Sequence, residues 1–287
     1  MPRGLDHLVL AVRDLDAAAR FYERMGFQVG GRNRHPWGTE NRLVQLPGVF
    51  LEIITVGEGA AIPPHEPGAF SFGAFVRDSL ARREGFAMLV LDSENAKADA
   101  ELFRETGIGA FAPFHFERKG QRPDGSEIHV AFTLAFAQDE AARQAAFFVC
   151  QQHYPENFWN PAFQQHPNGA KEIAAVAFAA PDPERHRAFL TVFTGTEPTS
   201  PNGGDLSFAL ARGRLDVMGP DEAAELYVSI ETDPDEPALV AFAVRVEDLR
   251  RQVGLLQAAE IPHQAFGGRA VVPSSAAFGV AIAFEEA

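Results

Sequence analysis

Two side chains stand out for the chemistry they could do, His7 and Glu52. Each interrupts an otherwise apolar, strand-like run, Leu5-Asp6-His7-Leu8-Val9-Leu10 in one case and Phe50-Leu51-Glu52-Ile53-Ile54 in the other. A carboxylate in such a run is costly to bury unless something compensates it. Imidazole and carboxylate are both donors that suit Zn, Ni, Mn or Fe, so a divalent-metal site is the first expectation. Strand alternation puts Leu5, His7 and Val9 on one face, and Phe50, Glu52 and Ile54 on one face. A lone strand histidine is otherwise a hydrogen-bonded core residue. The matching carboxylate turns the reading toward a site.

The elements that must position this pair recur along the chain. Residues 5–12 read as a strand and 14–25 as a helix, with Leu15, Ala18, Ala19, Tyr22 and Met25 at helical spacing. Residues 42–45 and 49–55 read as strands about a Pro47-Gly48 turn. Val12-Arg13-Asp14-Leu15 matches Val246-Glu247-Asp248-Leu249 at an offset of 234, which sets Ala241 in the place of His7 and Ala283 about where Glu52 would be. Gly107-Ile108 matches Gly26-Phe27 at an offset of 81, which sets Met88 in the place of His7. That copy has its helix at 96–105 and strands at 127–136 and 145–152. A further copy starts at Ile173, with Ala175 in the place of His7, a helix at 185–193 and strands at 206–210 and 215–218.

Four such copies predict an α+β fold of four βαβββ modules. One module exposes an apolar sheet face that it cannot bury alone, so the modules should pair into two curved, cavity-forming half-barrel sheets. Pro155, Pro161, Pro167 and Asn168-Gly169 mark the connection between two paired-module domains, 1–165 with the site and 166–287 without it.

A chain of 287 residues favours two globular units. The 25 basic against 39 acidic residues give a net charge of −14, which repels phosphate backbones and argues against nucleic acid as a partner. No apolar run approaches the ~18 residues of a membrane span, and no signal-peptide pattern precedes the first strand. A cytoplasmic protein with a small-molecule partner is the expectation. Cys150 is the single cysteine; after Phe147-Phe148-Val149 it reads as a small buried hydrophobe, with catalysis as the alternative for a lone thiol.

The chain resembles the vicinal oxygen chelate superfamily, which includes glyoxalase I, extradiol dioxygenases and fosfomycin- and bleomycin-resistance proteins. The resemblance rests on residues 5–15, on Gly38-Thr39-Glu40-Asn41-Arg42-Leu43, on the run around Glu52 and on 147–159. It covers nearly the whole length and is greatest to glyoxalase-like proteins with four modules. It implies a metal held inside a paired-module sheet by donors from the first and fourth strands, places that His7 and Glu52 match. Met88 takes the corresponding first-strand place of the second module, and a thioether suits such a cation poorly. The third ligand expected is His153, with Gln152 as the alternative; the two lie on opposite faces of a regular strand.

On this resemblance the expected activity is that of a glyoxalase-like lyase or isomerase acting on a small substrate with adjacent oxygens. The metal would act as a Lewis acid that stabilises an enediolate, and Glu52 could transfer the proton. A non-catalytic sequestering protein of the resistance type is the alternative reading. A ring-cleaving dioxygenase, which wants two histidines and a glutamate, follows behind it. Fold analogy is compatible with a homodimer.

Trp37, Asn41 and Arg42, with His35 on the same approach to Glu52, are the candidate substrate contacts. The Arg42 guanidinium could hold an anionic or carbonyl oxygen or pair with surface acids. His129 alternates with apolar neighbours, so it either lines the cavity or bonds across strands. His115, His166, His186 and His263 have no partner at metal spacing. Gly107-Ile108-Gly109-Ala110-Phe111-Ala112 follows a helix instead of opening one, which disqualifies it as a dinucleotide fingerprint.

Overall fold

The computed structural model describes residues 1–121, 127–228, 233 and 235–287, without the side chains of Gly120 and Gln121. The first module comprises β1 (Leu5–Ala11), α1 (Leu15–Arg24), β2 (Asn33–Arg34), β3 (Thr39–Leu46) and β4 (Val49–Val56). A connecting helix α2 (Phe72–Arg82) leads to the second module: β5 (Gly85–Asp92), α3 (Ala96–Glu105), β6 (Phe114–Gln121), β7 (Glu127–Ala137) and β8 (Ala146–Gln152). After the short α4 (Pro155–Phe158) the third module supplies β9 (Ala170–Ala179), α5 (Arg187–Thr194), β10 (Leu206–Ala209) and β11 (Arg214–Met218). A second connecting helix, α6 (Pro220–Tyr227), precedes β12 (Ala238–Val246), α7 (Leu249–Ala258), β13 (Gln264–Phe266), β14 (Arg269–Val272) and β15 (Ala281–Glu286). Among the described residues the third module has two strands after its helix, and an isolated bridge between Thr199 and Ser207 stands beside them.

The repeated Val-x-Asp-Leu link has a local cause. Asp14 accepts hydrogen bonds from the amides of Asp16 and Ala17, and Asp248 does the same for Arg250 and Arg251. Each is the N-cap that satisfies amides orphaned at the start of a helix. The turn between β3 and β4 takes Pro47 then Gly48, and the glycine's φ of 72° is the conformation that a type II turn asks of its third residue.

The strands form two sheets, in the orders β2-β3-β4-β1-β5-β8-β7-β6 and β10-β11-β9-β12-β15-β14-β13. Both have antiparallel first strands of two modules at the centre, each flanked by the parallel last strand of its own module. The first sheet curves into an open half-barrel. One hydrophobic core joins the backs of both sheets, from Leu8, Leu10, Leu89 and Phe147 on one side to Phe178, Phe242, Val244 and Phe284 on the other, with α1, α3, α5 and α7 contributing Tyr22, Phe103, Phe193 and Leu256. No helix among the described residues is long and apolar enough to cross a membrane.

The concave faces differ. In the second sheet an alanine floor (Ala175, Ala177, Ala241, Ala243, Ala281 and Ala283) clusters with Ala223 and Tyr227 of α6, so a helix fills the hollow. In the first sheet the hollow stays partly open. That difference decides where a ligand can go.

Candidate functional site

Alternation along β1 breaks before His7. The pairing of β1 with β5 slips between Leu5 and His7, a bulge that inserts Asp6 as an extra residue. Leu5 therefore packs into the core behind the sheet, while His7 and Val9 face the hollow. The expectation that Leu5 shares their face is corrected by this bulge. The same irregularity lets Asp6, buried at 3 % exposure, reach its neighbour: His7 Nδ1 donates to Asp6 Oδ1 at 2.5 Å. Asp6 Oδ2 accepts from Gln152 Nε2 at 2.8 Å. With Nδ1 donating to the carboxylate, the neutral form of His7 presents Nε2 as an acceptor. Phe50 stacks on the imidazole at 4.3 Å and Phe148 meets it edge-on at 5.6 Å.

Glu52 is next. Its strand β4 runs parallel to β1 with Glu52 paired to Val9, so its carboxylate stands one step along from His7. Glu52 Oε1 accepts from Asn41 Nδ2 at 2.5 Å, and Oε2 lies 3.9 Å from His7 Nε2, beyond hydrogen-bond reach. Asn41 Oδ1 accepts from Asn33 Nδ2 at 3.1 Å, and Asn33 Oδ1 accepts from Arg118 Nη1 at 3.2 Å. His35 bonds Thr39 Oγ1 through Nδ1 at 2.8 Å and approaches Asn41 Nδ2 through Nε2 at 3.4 Å. Burial holds the His35 pKa below its usual value, with the Glu52 charge opposing and Arg118 reinforcing. A polar chain thus runs from Arg118 through Asn33 and Asn41 to Glu52.

Around this chain the hollow is aromatic. The cavity measures about 130 Å³ and is walled by Trp37, Phe72, Phe114, Phe116, Phe132 and Phe158, among others. Among the described residues the edge strands β2 and β6 have no backbone pairing to each other; side chains bridge the seam between them, with Trp37 packed on Phe114 and Phe116 at 5.4 and 5.1 Å. Phe72 comes from α2. Phe158 comes from α4, whose position Gln45 fixes by donating to the Phe158 carbonyl at 3.0 Å.

The candidate residues divide by face. His7, Glu52, Asn41 and Trp37 line the cavity. Gln152 meets Asp6, and its Oε1 is buried without a hydrogen-bond partner among the described residues. His153 is exposed and bonds Thr133 Oγ1 at 2.7 Å; Thr133 alternates with the cavity-lining Phe132 and Leu134, which puts this contact on the outer face. Arg42 also points away, to Asp16 at 3.0 Å and the Gly30 carbonyl at 3.2 Å. His129 pairs with Glu117 at 3.0 Å and stacks near Tyr154, outside the cavity lining. Sequence reasoning missed Asp6, Asn33 and Arg118. Only the first left a signal, a second polar residue beside His7 in an apolar run.

The glyoxalase-like domain family model matches residues 5–194. The chain belongs to this family, within the vicinal oxygen chelate superfamily. The glyoxalase-like chain aligns over 99 % of its length with all of a hypothetical protein from Staphylococcus aureus, at a TM-score of 0.71 and 13 % identity. A triple mutant of 4-hydroxymandelate synthase from Streptomyces coelicolor aligns with 93 % of the chain and 78 % of its own length, at a TM-score of 0.57 and 12 % identity. A xylose isomerase-like TIM barrel/4-hydroxyphenylpyruvate dioxygenase fusion protein aligns with 92 % of the chain over 40 % of its own length, at a TM-score of 0.50 and 16 % identity. At such identities the likeness is one of fold. No curated protein matches the sequence.

Members of this superfamily commonly bind divalent metals, so the donor set can be tested against one. Strand registers identify the equivalent inner positions. Val9 pairs with both Glu52 and Met88, and Val90, across from His7, pairs with Phe148. The four inner places of this half are therefore His7, Glu52, Met88 and Phe148. In the second sheet Ala177 pairs with Asp216 and Ala241, and Ala243 with Ala175 and Ala283. Its four places are Ala175, Asp216, Ala241 and Ala283, so one carboxylate interrupts the alanines expected there. Asp216 is taken up by Arg214 at 2.8 Å and Ser207 at 2.7 Å.

The first half thus has two of four donors, with a thioether and a phenyl ring in the other places. Metal–nitrogen and metal–oxygen bonds of ~2.1 Å would have to open to an angle of about 135° to span the 3.9 Å between His7 Nε2 and Glu52 Oε2, wider than the tetrahedral angle. Cys150 lines the cavity, but burial raises its thiol pKa well above the usual range. Among the described residues no group of three His, Cys, Asp or Glu could hold a metal ion. These residues do not fit a resident metal.

Proposed function

We propose that the N-terminal half, residues 1–165, is a metal-independent receptor for a small, largely apolar molecule. The observation that carries this reading is the pair Met88 and Phe148 in the two donor places of the second module, where an apolar wall replaces ligands. The fold supports a cavity, and the lining supports an aromatic occupant. Metal-assisted lyase or isomerase chemistry, the first expectation from the sequence, asks for a third donor that neither residue supplies. Sequestration without turnover is the simpler use of the hollow. A second reading, proton transfer at a bound carbon acid, is favoured by one contact: Asp6 orients His7 as an orienting carboxylate does for a general base, with Glu52 3.9 Å away.

Metal analysis of chelator-free protein, together with thermal unfolding in the presence of toluene or of Ni, Zn, Mn or Fe, tests the proposal. Toluene should raise Tm, with or without chelator, and the metals should leave it unchanged. A stoichiometric metal that stabilises the wild type and is lost in His7→Ala would overturn it.

A further inference from the structure

The polar floor of this cavity is built to receive hydrogen bonds. His7 has one ring nitrogen committed as donor to Asp6, so Nε2 faces the cavity as an acceptor. Glu52 has one oxygen committed to Asn41, and the other faces His7 Nε2 across 3.9 Å. Asn41 spends its amide protons on Glu52 and His35, and its oxygen on Asn33. Two acceptors therefore oppose each other across a gap that neither closes, and no neighbouring donor among the described residues is directed between them. A bound group must bring the protons.

Charge points the same way. Asp6 and Glu52 are the carboxylates at the floor, while Arg118 stands at the far end of the chain through Asn33 and Asn41. The Cys150 thiol senses this field: burial raises its pKa first, and the charges of Asp6, Glu52 and Asp92 raise it further. Around the floor the rings of Phe50, Phe148 and Phe158 supply apolar surface. The volume of about 130 Å³ is close to the ~150 Å³ of an engineered cavity that admits benzene, so one ring and a short arm fill it.

Resting on the receptor reading above, we infer that the ligand is a compact aromatic amine whose ammonium group lies between His7 Nε2 and Glu52 Oε2. An ammonium carries three donors and a positive charge, which satisfies both acceptors and pairs with the carboxylate. A neutral hydroxyl brings one donor and leaves an acceptor without a partner. A carboxylate brings none and meets like charge.

The test is calorimetric titration of the full chain, in neutral buffer with chelator, against benzylamine, phenol, toluene and benzoate. Benzylamine should bind at least about tenfold more tightly than toluene, the worth of one charge-assisted hydrogen bond, with phenol between them and benzoate weakest. Glu52→Gln should remove that preference, and a cooperative thermal unfolding transition reports that the variant is folded. Benzylamine no tighter than toluene, phenol equal to benzylamine, or a preference that survives Glu52→Gln would each overturn the inference. Toluene binding separates the two claims: if toluene binds and benzylamine gains nothing, the receptor stands and the amine falls. If neither binds, both fall.

Discussion

Replacing Met88 by histidine would return an imidazole to the place that mirrors His7 across the paired first strands. The structure sets two opposing magnitudes. Met88 is fully buried, so an imidazole there loses hydration without an assigned partner, at a cost of about 1–3 kcal/mol. At ~2–4 °C per kcal/mol for chains of this size, the metal-free variant should unfold about 2–12 °C below wild type. His7, Glu52 and the new ring would then make three donors. Zn or Ni at a hundredfold excess over its Kd should restore about 2.7 kcal/mol, close to the whole loss. Thermal unfolding with and without chelator reads both effects on one sample, and wild type should respond to neither addition. A variant that is destabilised but indifferent to metal would refute the assignment of Met88 to a donor place. A wild type that responds as strongly as the variant would refute the claim that a donor is missing.

Acidification should destabilise the fold through His35 and His166, both held below the usual histidine value of 6.5 chiefly by burial. The unfolded chain takes up these protons first, so stability is lost as pH falls below about 6.5 and the loss levels off below the folded values. His166→Asn should flatten that slope in pH-dependent denaturant titrations. In the second sheet Ala241→Leu should cost about 1–3 kcal/mol by overpacking the floor beneath α6, with toluene binding to the first sheet unchanged.

Much of the fold was legible because its causes are local. The N-caps Asp14 and Asp248 repeat at a fixed offset, and inner and outer faces alternate on β4, β7 and β8 as period two requires. The bulge at Asp6 was not legible, since one inserted residue changes no composition and leaves the run apolar on both sides. Helix α2 followed a Pro- and Gly-rich stretch and starts at Ser71 without a side-chain cap bond, so its contribution of Phe72 to the cavity was hidden. Alternation separated Gln152 from His153, but only the register of β8 against β7 says which faces inward. The carboxylate of Asp216 escaped because the third module is aligned by pairing more than by sequence.

The seam between β2 and β6 has a kinetic consequence. The back of the first sheet is sealed by the core it shares with the second, so a guest cannot enter from behind. One route in is the seam where two edge strands meet through side chains, at Trp37, Phe114, Phe116 and the Asn33–Arg118 bond. Among the described residues, parting that seam breaks no backbone hydrogen bond between the two edges. Its aromatic contacts should therefore govern how fast a guest comes and goes, while the floor governs how tightly it stays. Trimming Phe116, which also walls the cavity, would then speed both arrival and departure.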